Sequence, residues 1–163
     1  MPEGPEIRRA ADRLGKALIG QRLVETKLPY TTFLGREHLI QDQVVIDVTS
    51  HAKAMLIRFE NGWTMYSHNQ LYGRWTVNRR ATEAKKWNRK LRIALSTDKH
   101  TCRLWSATDI LMLEPWEVSG HQYIAKLGPD VVIDETTTKE LVEHMNQKRF
   151  QRKRLKTLLL DQG

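Results

Sequence analysis

The chain opens MPEGPE, and its second and third residues carry the most reactive combination in the sequence. With Met1 removed, Pro2 presents a secondary amine at the chain terminus. A terminal amine has a pKa of about 7.7–8, so a useful fraction is unprotonated near neutrality and can attack an aldehyde or acetal carbon. The product of a secondary amine is an iminium ion, which keeps its charge without a proton and acidifies the adjacent carbon. Glu3 is placed to move a proton to or from a sugar oxygen. With Met1 retained, the Pro2 nitrogen is an amide and this chemistry is lost. A helix start accounts for the neighbours: Gly4 as lead-in, Pro5 at the first helical position, Glu6 at the positive end of the helix dipole. It leaves Pro2 and Glu3 unexplained.

Two further stretches carry candidate chemistry. In HAKAML, residues 51–56, Lys53 begins an apolar strand. It is either an edge lysine guarding a strand end or a cation for a phosphate and a proton donor near a reacting sugar. SHNQLYG, residues 67–73, reads as a hairpin loop with Gly73 as turn residue and Gln70, Leu71 and Tyr72 at its tip. An exposed Leu-Tyr pair costs solubility unless it inserts somewhere. Apolar wedges that enter a base stack, with an amide beside them for base edges, hold a duplex open around an extruded nucleotide.

The elements that must position these groups are a helix and many strands. Residues 5–19 have apolar side chains at Ile7, Ala10, Ala11, Leu14, Leu18 and Ile19, a helical spacing with Gly20 as the stop. Seven strand-like stretches follow: RLVETKL, QVVIDVTS, KAMLIRFE, WTMYS, GRWTVN, KLRIALST and TCRLWS. Asn61-Gly62 between two of them is a hairpin signal. Helical patterns return in TTTKELVEHMNQ and in the basic QKRFQRKRLKTLLLDQ.

At 163 residues the chain is long enough for one well-formed core. No apolar run approaches the roughly 20 residues of a membrane helix, and no membrane partner is expected. Cys102 is the only cysteine, which excludes an internal disulfide and a multi-cysteine zinc site. It reads as a core thiol in a protein of the reducing cytosol. The six histidines show no metal spacing. Net charge is +8, from 27 Lys and Arg against 19 Asp and Glu. The surplus is clustered at 79–92 and 148–156, which favours a nucleic-acid partner.

MPEGPEIRRAADRL, the lysine of HAKAML, YSHNQLYG, LGPD at 127–130 and RFQRKRLKTLLLDQ together resemble the formamidopyrimidine-DNA glycosylase and endonuclease VIII family. NQLYG favours the endonuclease VIII branch. The resemblance implies an α+β, mainly β fold: an N-terminal helix, an antiparallel β-sandwich of about eight strands, and C-terminal helices that begin a helix–two-turn–helix region. It implies a catalytic domain over 1–132 and the start of a helical domain over 133–163. It further implies a bacterial base-excision repair enzyme, monomeric and nucleoid-associated, acting on damaged double-stranded DNA. Such an enzyme removes oxidised pyrimidines and nicks the strand at the abasic site.

By the same resemblance Pro2 is the Schiff-base nucleophile at C1′, Glu3 the acid–base residue that opens the sugar, and Lys53 an aid to β-elimination that touches phosphate. Gln70, Leu71 and Tyr72 fill the gap of the flipped nucleotide, Lys126 is a basic DNA contact, and Glu6 supports the site. No cofactor or metal is expected in this chain. The family's usual structural zinc belongs to a further half that this chain, read as truncated, does not contain, and weakened activity is expected in consequence. His51-Ala52 also departs from the Arg-Gly pair common before the family's lysine. Two readings compete: an inactive remnant binding DNA through its basic runs, and a single-strand binder that stacks bases on Trp75, Trp87 and Trp105.

Overall fold

The computed structural model describes residues 2–83, 88–130 and 136–154, together with Thr157. Helix α1 (Gly4–Leu18) has Pro5 in its first turn and buries Ile7, Ala11, Leu14 and Leu18 as one stripe. That stripe packs mainly on β2 and also meets β3, β5 and β7. Leu14 and Leu18 are fully enclosed, so truncating either to alanine costs about 2–5 kcal/mol.

Eight antiparallel strands form two four-stranded sheets. They are β1 (Glu25–Lys27), β2 (Val45–His51), β3 (Ala54–Phe59), β4 (Thr64–His68), β5 (Arg74–Arg79), β6 (Leu91–Ser96), β7 (His100–Trp105) and β8 (Asp109–Leu113). One sheet has the order β1-β6-β7-β5 and the other β2-β3-β4-β8. Inward-facing Met55, Ile57, Met65, Ile110 and Met112 of the second sheet join Trp75, Ile93, Leu95, Cys102 and Leu104 of the first in the main core. Each of the seven strand-like stretches contains a strand, and DILML forms the eighth, β8. Trp75 and Trp105 are buried, which removes them as stacking platforms; Trp87 lies outside the described residues.

Asn61-Gly62 does close the β3–β4 hairpin. Gly62 takes φ +91°, a conformation open mainly to glycine. The 67–73 stretch is not a hairpin: β4 pairs with β3 and β8, whereas β5 pairs with β7. The chain here crosses from one sheet to the other, and Gly73 serves a close backbone approach. Its N–H donates to the Asn69 carbonyl at 2.7 Å.

The outer face of the β2-β3-β4-β8 sheet carries a second apolar cluster of Ala54, Leu56, Tyr66 and Leu113. It is covered by the segment after β8, which contains the short helix α2 (Glu117–Gly120) and a 3-10 turn at Ile124–Lys126. Helix α3 (Thr138–Met145) follows, its N-cap Thr137 accepting from the Glu140 N–H at 3.2 Å. The basic stretch expected to be helical forms a 3-10 turn at Lys148–Phe150 and non-helical turns at 151–154, and is helical at Thr157. Its 155–156 and 158–162 parts lie outside the described residues, as does the expected domain boundary at 132.

Candidate active site at the sheet end

Strand register brings the candidate residues to one end of the β2-β3-β4-β8 sheet. His51 pairs with Ala54 across the Ala52-Lys53 turn, Ala54 pairs with His68, and His68 pairs with Asp109. The β2–β3 turn, the end of β4 and the start of β8 therefore share an edge. Gly4 at the start of α1 sits against the Ala52 carbonyl, close enough that a Cβ there would lie 3.5 Å from it. This contact brings Pro2 and Glu3 to the same edge.

Glu3 precedes the helix in extended conformation, and its N–H donates to Glu6 Oε2 at 2.9 Å. Glu6 thus fixes the backbone from which the Glu3 side chain projects. Lys53 Nζ lies 2.8 Å from Glu3 Oε2, with the lysine side chain 15% exposed and that of Glu3 61%. An ammonium stem enclosed this far is held in one place, while the carboxylate keeps access to solvent and to a substrate. Half-buried Pro2 adjoins the pair in sequence.

Ala52 adopts φ +51°, where a side chain costs roughly 1–2 kcal/mol. Two long-range hydrogen bonds hold the turn against that cost. The Ala52 N–H donates to Asp130 Oδ2 at 2.8 Å, and the Lys53 N–H donates to the Tyr123 hydroxyl at 3.3 Å. The covering segment therefore clamps the lysine turn at two points, and exposed Lys126 lies between them in sequence. Tyr123 also meets the His68 ring edge-on at 5.2 Å. Burial pushes the Tyr123 hydroxyl above its ordinary pKa, so it stays a neutral partner for the turn.

His68 is buried at the root of the cross-over loop. Its Nδ1 accepts the Gln70 N–H at 3.1 Å. Burial lowers its pKa; Asp109 opposes that shift and Lys53 adds to it. Beyond His68, Gln70 takes φ +51°, and Leu71 and Tyr72 are 63% and 66% exposed. Arg89 donates to the Tyr72 carbonyl and steadies the loop from the other side.

The structure thus gathers Glu3, Glu6, Lys53 and the turn's two clamps, with the Gln70–Tyr72 loop springing from the same edge. Tyr123, Asp130 and His68 had no role assigned from sequence. The LGPD stretch was the one available signal for Asp130, and it is weak by itself. Among the described residues no cluster of His, Cys, Asp and Glu is arranged to hold a metal. No described helix is long and apolar enough to cross a membrane.

The chain is similar in sequence and in fold to known proteins. The chain is 40% identical, over all 163 of its residues, to an Endonuclease 8 of Salmonella agona (strain SL483) and to one of Pectobacterium carotovorum subsp. carotovorum (strain PC1). It spans 62% of the length of each. Among solved structures, Lactococcus lactis formamidopyrimidine-DNA glycosylase, bound non-covalently to DNA containing an abasic site, superposes with a TM-score of 0.74. That match covers 99% of this chain and 62% of the other at 16% identity, a likeness of fold alone. A second structure, of that bacterium's wild-type enzyme with DNA containing an N7-benzyl formamidopyrimidine, gives 0.68 over 78% of this chain and 49% of the other, at 14% identity. The sequence pattern of the formamidopyrimidine-DNA glycosylase N-terminal domain matches residues 1–109, the stretch that builds α1 and strands β1 to β7 and ends at the first residue of β8, and the chain belongs to that family.

Proposed function

We propose that this chain carries the catalytic lobe of a DNA glycosylase with abasic-site lyase activity, acting on oxidised pyrimidines in duplex DNA within the bacterial cytoplasm. The observation that carries the reading is the 2.8 Å pair of Glu3 Oε2 and Lys53 Nζ. It adjoins the chain terminus, at the sheet edge from which an exposed Leu-Tyr loop projects. The net charge of +8 supplies the attraction to phosphates that such a substrate needs.

In this mechanism the Pro2 nitrogen attacks C1′ of the extruded nucleotide. The N–C1′ bond forms as the glycosidic bond breaks, and the base leaves with that electron pair and is protonated from solvent. The Glu3 carboxylate takes the proton from the newly bonded nitrogen and passes it to O4′; the C1′–O4′ bond opens and the nitrogen lone pair forms the iminium. Loss of a C2′ proton feeds electrons toward the iminium and expels the 3′ phosphate. Water finally hydrolyses the adduct and frees Pro2. Lys53 holds the Glu3 carboxylate and offers its ammonium to the phosphate of the reacting nucleotide. Leu71 and Tyr72 occupy the vacated space, and Lys126 adds a phosphate contact.

The test is borohydride trapping on a duplex with one abasic site, with the adduct mapped by mass. The mature chain should be captured at Pro2. The same chain with Met1 retained should bind the duplex without an adduct. An adduct on a lysine, or none with Met1 absent, would overturn the mechanism. Binding without capture in the mature chain would favour a non-catalytic DNA binder.

A further inference from the structure

The β7–β8 turn contains a residue that bears on what the cross-over loop can recognise. His68 and Asp109 are register partners, so continuing the two chains past that pair sets Thr108 beside the root of the loop. Thr108 Oγ1 lies 2.5 Å from Gln70 Oε1. That separation fits O–H···O hydrogen bonding and is shorter than the range for N–H···O. The atom facing the threonine is therefore the amide oxygen, and the hydroxyl donates to it. Thr108 is itself held, because its carbonyl accepts the Tyr30 hydroxyl at 2.9 Å. The Tyr30 ring in turn lies under the Arg92 guanidinium, 4.7 Å from the ring centroid. At its other end Gln70 is fixed through its own N–H to His68 Nδ1.

With its oxygen engaged, the Gln70 side chain presents the NH₂ group outward. An amide that rotates freely can offer either a donor or an acceptor; this one offers donors.

Resting on the proposed function, we infer that Thr108 sets the opposite-base preference of the enzyme by locking Gln70 as a hydrogen-bond donor. The base left unpaired by the flipped nucleotide meets that donor. On the Watson–Crick edge adenine offers N1 as an acceptor, and cytosine offers N3 and O2. Guanine presents the donors N1–H and N2–H₂ at the corresponding positions, and its one acceptor on that edge, O6, lies on the major-groove side. The geometry therefore favours a lesion or abasic site opposite adenine and disfavours one opposite guanine. Thr108 is a positioning residue here: it acts through Gln70 and does not touch the DNA.

The experiment is equilibrium binding of the chain to duplexes with a tetrahydrofuran abasic analogue opposite each of the four bases, a substrate that requires no turnover. Wild type should bind the adenine duplex about five- to tenfold more tightly than the guanine duplex, the scale of one hydrogen bond. Thr108→Val keeps the branched shape and loses the hydroxyl; it should bring the ratio to within about twofold. Thr108→Ser should keep the wild-type ratio. A merely structural role would weaken all four duplexes in parallel, and that result overturns the inference. So does an unchanged ratio in Thr108→Val, or a wild type that does not discriminate. Failure to bind any of the duplexes would overturn the proposed function with it, whereas binding without the threonine effect overturns this inference alone.

Discussion

Replacing Gly73 by alanine would test whether the cross-over loop has the tight construction that the site requires. A Cβ at this position would lie 2.4 Å from the Asn69 carbonyl oxygen, 2.7 Å from its Cα and 2.9 Å from its carbonyl carbon. All three are backbone atoms, so no side-chain rotation relieves the clash. The loop must open, and the 2.7 Å hydrogen bond from the Gly73 N–H to the Asn69 carbonyl is lost with it. Overpacking costs about 1–3 kcal/mol and the hydrogen bond about 1 kcal/mol. The two overlap, giving about 2–3 kcal/mol. For a chain of this size that is a fall in Tm of about 4–12 °C.

Gly4 supplies the internal control. Its added Cβ would meet the Ala52 carbonyl oxygen at 3.5 Å, an ordinary contact, in the first turn of α1. Gly4→Ala should be neutral or stabilising by up to about 1 kcal/mol. Both variants are compared with wild type by urea and thermal unfolding. Gly73→Ala should also lose affinity for the abasic-analogue duplex, because the displaced backbone carries Gln70, Leu71 and Tyr72. A Gly73→Ala chain within about 0.5 kcal/mol of wild type would refute the close approach.

Two further outcomes concern titrating groups. Burial pushes the Cys102 thiol up to about 12, so the native chain should resist a disulfide reagent at pH 8, whereas the urea-unfolded chain should titrate one thiol. His68 has its folded pKa lowered by burial, so the unfolded chain takes up the proton first as pH falls. Its contribution to stability is complete above the ordinary histidine value of about 6.5 and is lost as pH drops through the folded value. Urea midpoints from pH 7.5 to 5 should fall more steeply for wild type than for His68→Asn, whose amide oxygen can still accept the Gln70 N–H; equal slopes would refute the assignment.

The parts of this fold that were legible in the sequence are those set by short-range rules. The α1 stripe of Ile7, Ala11, Leu14 and Leu18 is a helical period, and the Asn61-Gly62 turn is local backbone chemistry. Both lie where they were expected, except that Ile19, expected on the stripe, stands past the helix end and is 46% exposed. The switch of β4 and β5 between sheets was not legible, because a strand's own pattern says which face is buried and not which strand lies beside it. The same divide runs through the site. Pro2 is legible because a secondary amine must stand at the terminus to react, a demand on residue type and position together. Leu71 and Tyr72 are legible because an exposed apolar pair is costly, whereas Lys53 is distinguished only by the family resemblance, a lysine at a strand end being ordinary.

The residues that hold them carry no such demand. Tyr123 serves as an acceptor for the N–H of a residue 70 positions earlier, and Asp130 for one 78 earlier. Any acceptor at the right place would do, so nothing in the residue type announces the role. Thr108 and Gln70, 38 positions apart, repeat the case: each is an ordinary surface residue until the β4–β8 register puts one hydroxyl against one amide oxygen. The chemistry of a site is thus written in its reactive groups, while its geometry rests on partners that only the register identifies. The clearest separation of the two is a variant such as Thr108→Val, which leaves Pro2, Glu3, Lys53, Leu71 and Tyr72 as they are and alters only the orientation of the Gln70 amide.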